Sequence, residues 1–197
     1  MHSNLIRLRR GAVVAIACLP AAVSAHAGHG DIAGFGDGML HVASGLDHML
    51  AAVAVGLWSM AWPIRRAWML PVAYVLAMSA ATWFGVGREA GPSLETMLVA
   101  TIIVLGGLVA TSRHMPEVAA ALVVAVFGAI HGYAHGAEAG TSGSIPMYIV
   151  GLASATLALH VAGMGFGLML RLTSRWGMRV AGAVIAGAGV WFAISAA

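Results

Sequence analysis

Six runs of apolar residues, each close to the length that crosses a bilayer, constrain this chain more than any other feature. They fall at about 39–61, 67–86, 94–111, 117–136, 146–170 and 177–196, and a helix needs ~20 mostly apolar residues to cross ~30 Å of hydrocarbon. Too little polar surface remains to cover a water-facing globule. Of the 197 residues, 60% are hydrophobic and 9% charged, against ~25% charged in an ordinary soluble domain. The expected fold class is all-α, a polytopic membrane protein with six transmembrane helices embedded in the lipid bilayer. Its net charge of +3 comes from ten basic residues, all arginine, against seven acids. Most of these arginines sit in short loops, which points to membrane orientation and not to a nucleic-acid partner. No GxxxxGK[ST] phosphate loop occurs, so no nucleotide is expected as a partner of the chain.

Residues 1–25 read as a separate unit, a cleaved N-terminal signal peptide. "MHSNLIRLRR" is a positive n-region, "GAVVAIACL" a short apolar run, and "PAAVSA" a small-residue stretch ending at Ala25. Cleavage after Ala25 leaves His26 as the new N-terminus, and cleavage after Ala27 also fits. The single Cys18 lies in the removed part, so the mature chain has neither a disulfide nor a thiolate ligand. Acylation of Cys18 is the weaker alternative, because Ala15 stands where leucine is usual. Residues 26–38 then form a short outer segment containing histidine, and residues 39–197 the six-helix transmembrane domain.

Local punctuation supports these limits. Ser93 with Glu95 suits the start of the third span, Pro116 with Glu117 the fourth, and Ser144 with Pro146 the fifth. Pro71 falls near the start of the second span, where a missing amide proton is tolerated. The 26 glycines suit close helix packing in lipid. Arginine counts set the direction. Loops after spans one, three and five hold Arg65, Arg66, Arg113, Arg171, Arg175 and Arg179, while those after spans two and four hold only Arg88. Arginine-rich loops stay cytoplasmic, so both mature ends are expected on the periplasmic side of a bacterial inner membrane.

Against this apolar background, His41, Asp47, His48, His131, His135, Glu138 and His160 stand out. Ionisable groups inside a membrane are costly and mark functional sites by default. At 1.5 Å rise per residue, the assigned direction brings all seven into the outer half of the bilayer, with His160 near its middle. His131, His135 and Glu138 share one helix face, spaced i, i+4 and i+7. An i, i+4 pair is how one helix offers two imidazoles to a single metal ion. His41 and His48 also share a face but lie ~10 Å apart along a continuous helix. They could bind one ion only if it sat between them or if the helix loosened near Gly45. Asp47 points ~100° away from His48, as a ligand after distortion or as a group that fixes an imidazole tautomer. Ordinary readings stand beside these: His160 as a helix-to-helix hydrogen-bond partner, His41 as an interfacial polar residue, Glu138 as a solvated carboxylate. Imidazole and carboxylate without thiolate suit Ni²⁺, Co²⁺, Zn²⁺ or Cu²⁺ and argue against a Cu⁺ site.

Three segments carry a resemblance. "HVASGLDHMLAAVAVGLW" (41–58), "FGAIHGYAHGAEAG" (127–140) and "ATLALHVAGMGFG" (155–167) resemble the signature segments of the HupE/UreJ family. These membrane proteins are associated with hydrogenase and urease maturation and are regarded as nickel, sometimes cobalt, permeases. The similarity extends over essentially the whole mature chain, and its HGYAHGAE match is the specific one. It implies that His41, Asp47, His48, His131, His135, Glu138 and His160 are the functional positions. One departure is Val42, where these proteins commonly carry proline. His26, His29 and Asp31 in "HAGHGD" form a further candidate set for capturing an ion outside the membrane, with an inert tail as the alternative.

The leading expectation is a permease, not an enzyme, that moves Ni²⁺ or Co²⁺ inward. The ion is cargo, and no permanently bound cofactor is expected. Two rivals belong to other classes: an intramembrane haem-binding electron carrier, since paired histidines also ligate haem, and a metal-dependent membrane enzyme with Glu138 as base. The carboxylates beside the histidines count against the first, and the lack of HExxH or a nucleophile motif against the second. A non-transporting sensor is a further alternative.

Overall fold

Leu, Val, Ala and Met fill the apolar runs with good helix formers or residues that lipid and neighbouring helices accept, and the runs fold accordingly. The computed structural model describes residues 34–111, 115–140 and 142–195. The signal peptide expected at 1–25 and the capture residues His26, His29 and Asp31 lie outside the described residues. Eight helices and no strand occur among those described: α1 (Phe35–Ser44), α2 (Leu46–Ser59), α3 (Ile64–Ala67), α4 (Met69–Gly85), α5 (Ser93–Thr111), α6 (Glu117–Ala137), α7 (Ile145–Thr173) and α8 (Gly177–Ser195). Five segments are long and apolar enough to cross a membrane: Ile64–Gly85, Ser93–Thr111, Glu117–Ala137, Ile145–Thr173 and Gly177–Ser195. The caps follow local chemistry. Ser144 precedes α7 and its side chain accepts from the Met147 amide at 3.4 Å, while Pro116 leads into α6 at a position that needs no amide donor.

The first span departs from the expected continuous helix over 39–61. Its two halves, α1 and α2, meet the crossing criterion only together and are bent by 86° at Gly45. Gly45 is extended (φ −86°, ψ 106°), a conformation open to any residue. Two donors answer the His41 carbonyl at the break: the Gly45 amide at 3.3 Å and the Ser44 hydroxyl at 3.2 Å. Helical bonding then resumes from the Gly45 carbonyl to the Met49 amide at 2.9 Å. The bend needs no proline after His41, and Val42 is buried. The helix also begins at Phe35, inside the segment assigned above to the outer tail.

The helices pack chiefly as α4 on α6, α5 on α8, and both α1 and α2 on α7. Between them lie Trp58, Leu70, Tyr74, Met78, Ile102, Leu105 and Leu152, all buried. The outside is equally apolar, with Leu76, Val118, Leu122, Leu172, Val184 and Ile194 exposed, as a lipid-facing surface requires. Without a hydrophobic gradient between lipid and core, close backbone approach is what holds such helices together. Two glycines make that approach next to the polar residues. A Cβ on Gly132 of α6 would strike the Met78 carbonyl of α4, and one on Gly38 of α1 would strike the Tyr148 carbonyl of α7. Because the obstacle at Gly132 is backbone, Gly132→Ala should destabilise the bundle by ~1–3 kcal/mol, the usual range for overpacking. A denaturation midpoint equal to the parent's would contradict that packing. At the other end of the bundle Arg66 on α3 bonds the Glu117 carboxylate of α6 at 2.6 Å, an exposed pair that solvent screens and that adds little to stability.

Candidate metal centre

The break at Gly45 decides which histidines meet. On a straight helix His41 and His48 would stand two turns apart. With the bend, α1 turns back over the first turn of α2, and the two rings stack with centroids 5.7 Å apart and planes at 27°. α6 supplies the third ring. His135 lies edge-on to both, 4.9 Å from His41 and 4.4 Å from His48. One ligand atom from each of His41, His48 and His135 can be chosen so that all lie within 4.8 Å of one another. His48 and His135 are buried, and His41 is half-buried at the rim. Imidazole nitrogens gathered this closely suit a single divalent transition ion.

Two carboxylates flank the trio. Asp47 Oδ2 lies 3.2 Å from His48 Nδ1, and Glu138 Oε2 lies 3.2 Å from His41 Nε2. Both are partly open to solvent, with side chains 34% and 41% exposed, whereas His48 is 9% exposed. The carboxylates therefore sit at the mouth and the buried His48 and His135 rings sit deeper. Asp47 occupies the position expected of a group that orients an imidazole. Glu138 caps α6 and reaches α1, a contact between elements that sequence spacing does not show.

His131 adjoins the trio one turn along α6, its ring 5.4 Å from that of His48. Its Nε2 lies 2.8 Å from the Thr101 hydroxyl of α5, and that hydroxyl also reaches the Leu98 carbonyl at 2.6 Å. Thr101 has one proton, and a carbonyl can only accept it. The hydroxyl therefore donates to Leu98 and accepts from His131 Nε2–H. That tautomer leaves His131 Nδ1 as a lone pair, buried and without a hydrogen-bond partner among the described residues. His135 Nδ1 is likewise buried without one. Such buried, uncompensated nitrogens are costly unless a ligand uses them.

His160 does not join the cluster. Its ring is fully buried on α7 and lies 5.2 Å from Tyr74, which in turn is 6.0 Å from His131. Tyr74 thus stands between the cluster and His160. The structure accordingly brings together His41, His48 and His135, sets His131, Asp47 and Glu138 around them, and leaves His160 beyond. Thr101 and Tyr74 were missed from sequence, as was Tyr148, whose ring lies 6.2 Å from His41. A hydroxyl in the otherwise apolar "VATIIVLGG" of α5 was the available signal for Thr101.

Comparison with known proteins places the chain in a family. A family model described as HupE / UreJ protein matches residues 14–192. The chain is also 38% identical over 178 residues to Protein HupE of Rhizobium leguminosarum bv. viciae, covering 89% of this chain and 92% of that protein. No solved structure matches. With nearly the whole length matched by the family model and by this relative, the chain belongs to the HupE/UreJ family.

Proposed function

We propose that this protein is a permease that carries Ni²⁺, or Co²⁺, across the bacterial inner membrane to the cytoplasm, where the ion supplies nickel enzymes such as hydrogenase or urease. The observation that carries this reading is the His41–His48–His135 cluster, set at the break of α1 and α2 inside an apolar bundle. Three converging imidazoles fit a bare ion better than haem, which takes only two axial ligands. The two neighbouring carboxylates balance the charge of a divalent cation, which lowers the penalty of removing it from water.

The route runs from the exposed rim inward. Glu138 and His41 collect the hydrated ion, the three rings replace part of its water, and His131 offers its Nδ1 lone pair next. Tyr74 separates this first station from His160, which serves as a second. The broken first helix counts as one of six crossings, with both mature ends periplasmic, as the arginine asymmetry requires. Only water and imidazole ligands exchange on the ion, which leaves unchanged, so the role is transport and not catalysis.

Purified protein in sealed vesicles tests the proposal through uptake of radioactive nickel, with cobalt as competitor. Saturable uptake above that of protein-free vesicles is expected, and uptake no greater than theirs would sink it. A dependence on pH follows from the ligands. Imidazole binds metal only when neutral, and its ordinary pKa is near 6.5. Protons therefore compete as pH falls, so nickel affinity in detergent should weaken from about pH 7.5 to about 5. Equilibrium dialysis at both ends of that range reads it, and constant affinity would count against histidine ligands.

A further inference from the structure

At the end of the bundle away from the histidines, α2 stops short and leaves a groove of about 590 Å³ against the last turns of α7. Met60, Trp62, Ile64, Leu168, Arg171 and Leu172 line it. Its walls face outward and are apolar, with Ile64 56%, Leu168 48% and Leu172 78% exposed. Surface of that kind is satisfied by hydrocarbon. Yet the same groove contains one cation. The Arg171 guanidinium reaches across from α7 and donates to the carbonyl of Met60, the residue that ends α2. An arginine has five N–H donors, so this contact fixes the group in place and leaves others to recognise an anion.

The surroundings are strongly one-sided in charge. Arg65 and Arg66 follow directly on α3, and Arg175 and Arg179 both lie over the Trp176 ring, at 5.6 and 5.0 Å. Among the described residues the only acid at this end is Glu117, and Arg66 already holds it. We propose that this groove is a binding site for one anionic phospholipid. The phosphodiester meets the Arg171 fork, and an acyl chain lies along Ile64, Leu168 and Leu172. Guanidinium matches a phosphate through paired N–H bonds, and basic pockets between helices at the cytoplasmic face are suited to anionic head groups. A free phosphate would leave the apolar walls uncovered, and a zwitterionic lipid would leave the surrounding positive charge unbalanced.

The test uses the full chain in detergent, titrated with phosphatidylglycerol or with phosphatidylcholine of the same acyl chains, and native mass spectrometry reads bound lipid. One tightly held phosphatidylglycerol is expected, with phosphatidylcholine binding more weakly by about tenfold or more, because its choline cation cancels the net charge that the surrounding arginines balance. Arg171→Gln should lose that preference and Arg171→Lys should retain part of it. Because Arg171 also caps α2, Leu168→Trp provides an independent reading: it fills the groove, keeps every charge, and should displace the lipid. Equal binding of the two lipids, unchanged binding by Leu168→Trp, or binding of glycerophosphate as tight as that of the lipid would each overturn the proposal.

Discussion

His135→Ala should reduce selective nickel uptake to the background of protein-free vesicles while leaving an inserted, folded protein. His135 lies closer to each of the other two rings than they lie to one another, with centroids 4.9 Å from His41 and 4.4 Å from His48 against 5.7 Å between those two. Its removal leaves two stacked imidazoles on one side of a gap, too few to replace the water of a divalent ion. The fold does not depend on that ring in the same way. It rests on the backbone contacts of α4 with α6 and of α1 and α2 with α7, which alanine leaves intact. His160→Ala provides the contrast. Tyr74 separates His160 from the cluster, so this variant should bind nickel in detergent as the parent does yet transport it poorly. Equal membrane levels of each variant are measured alongside uptake. If His135→Ala transports like the parent, the trio is not the site.

Much of this was legible before any coordinates. The spans read from 67 onward as 67–86, 94–111, 117–136, 146–170 and 177–196 fall close to the helices found, because apolar length, glycine and proline fix where a lipid-crossing helix can begin and end. The i, i+4 spacing of His131 and His135 brings both rings to His48 of α2, at 5.4 and 4.4 Å, but only His135 joins the close trio. The first span was harder. Residues 39–61 are mostly apolar, so composition alone continues the helix across Gly45, and only the awkward separation of His41 from His48 hinted at a break. The 86° bend is fixed by contacts remote in sequence, such as Gly38 of α1 seated on the Tyr148 carbonyl. His160 shows a second limit. Its depth follows from counting residues, but its lateral position depends on how α7 rotates against its neighbours. A helix that is apolar nearly all round gives no periodic stripe from which to read that rotation. Thr101 was hidden for the same reason, since nothing along the chain links residue 101 to the ring at residue 131.

Asp47→Asn should weaken nickel binding by ~10–100-fold, the usual effect of removing a group that orients a metal ligand. Asp47 Oδ2 sits 3.2 Å from His48 Nδ1. The pair is close but lacks hydrogen-bond geometry, so the carboxylate acts through its field, which favours a proton on Nδ1 and leaves the Nε2 lone pair for the ion. It also adds negative charge next to a cation entering a region of low dielectric. Asparagine keeps the shape and one acceptor oxygen but removes the charge, and its amide can turn a donor toward the ring instead. Asp47→Ala removes both contributions and should weaken binding further. The local packing makes this carboxylate hard to replace from elsewhere. A Cβ on Gly45 would come within 3.1 Å of Asp47 Oδ1 and 3.0 Å of the His48 ring, so this corner has little room for another side chain. Isothermal titration of purified variants with nickel at neutral pH distinguishes the outcomes. Graded losses, Asp47→Ala beyond Asp47→Asn, support a carboxylate that acts through His48 by both position and charge. Parent-like affinity in both variants would remove Asp47 from the site and leave Glu138 as its working carboxylate.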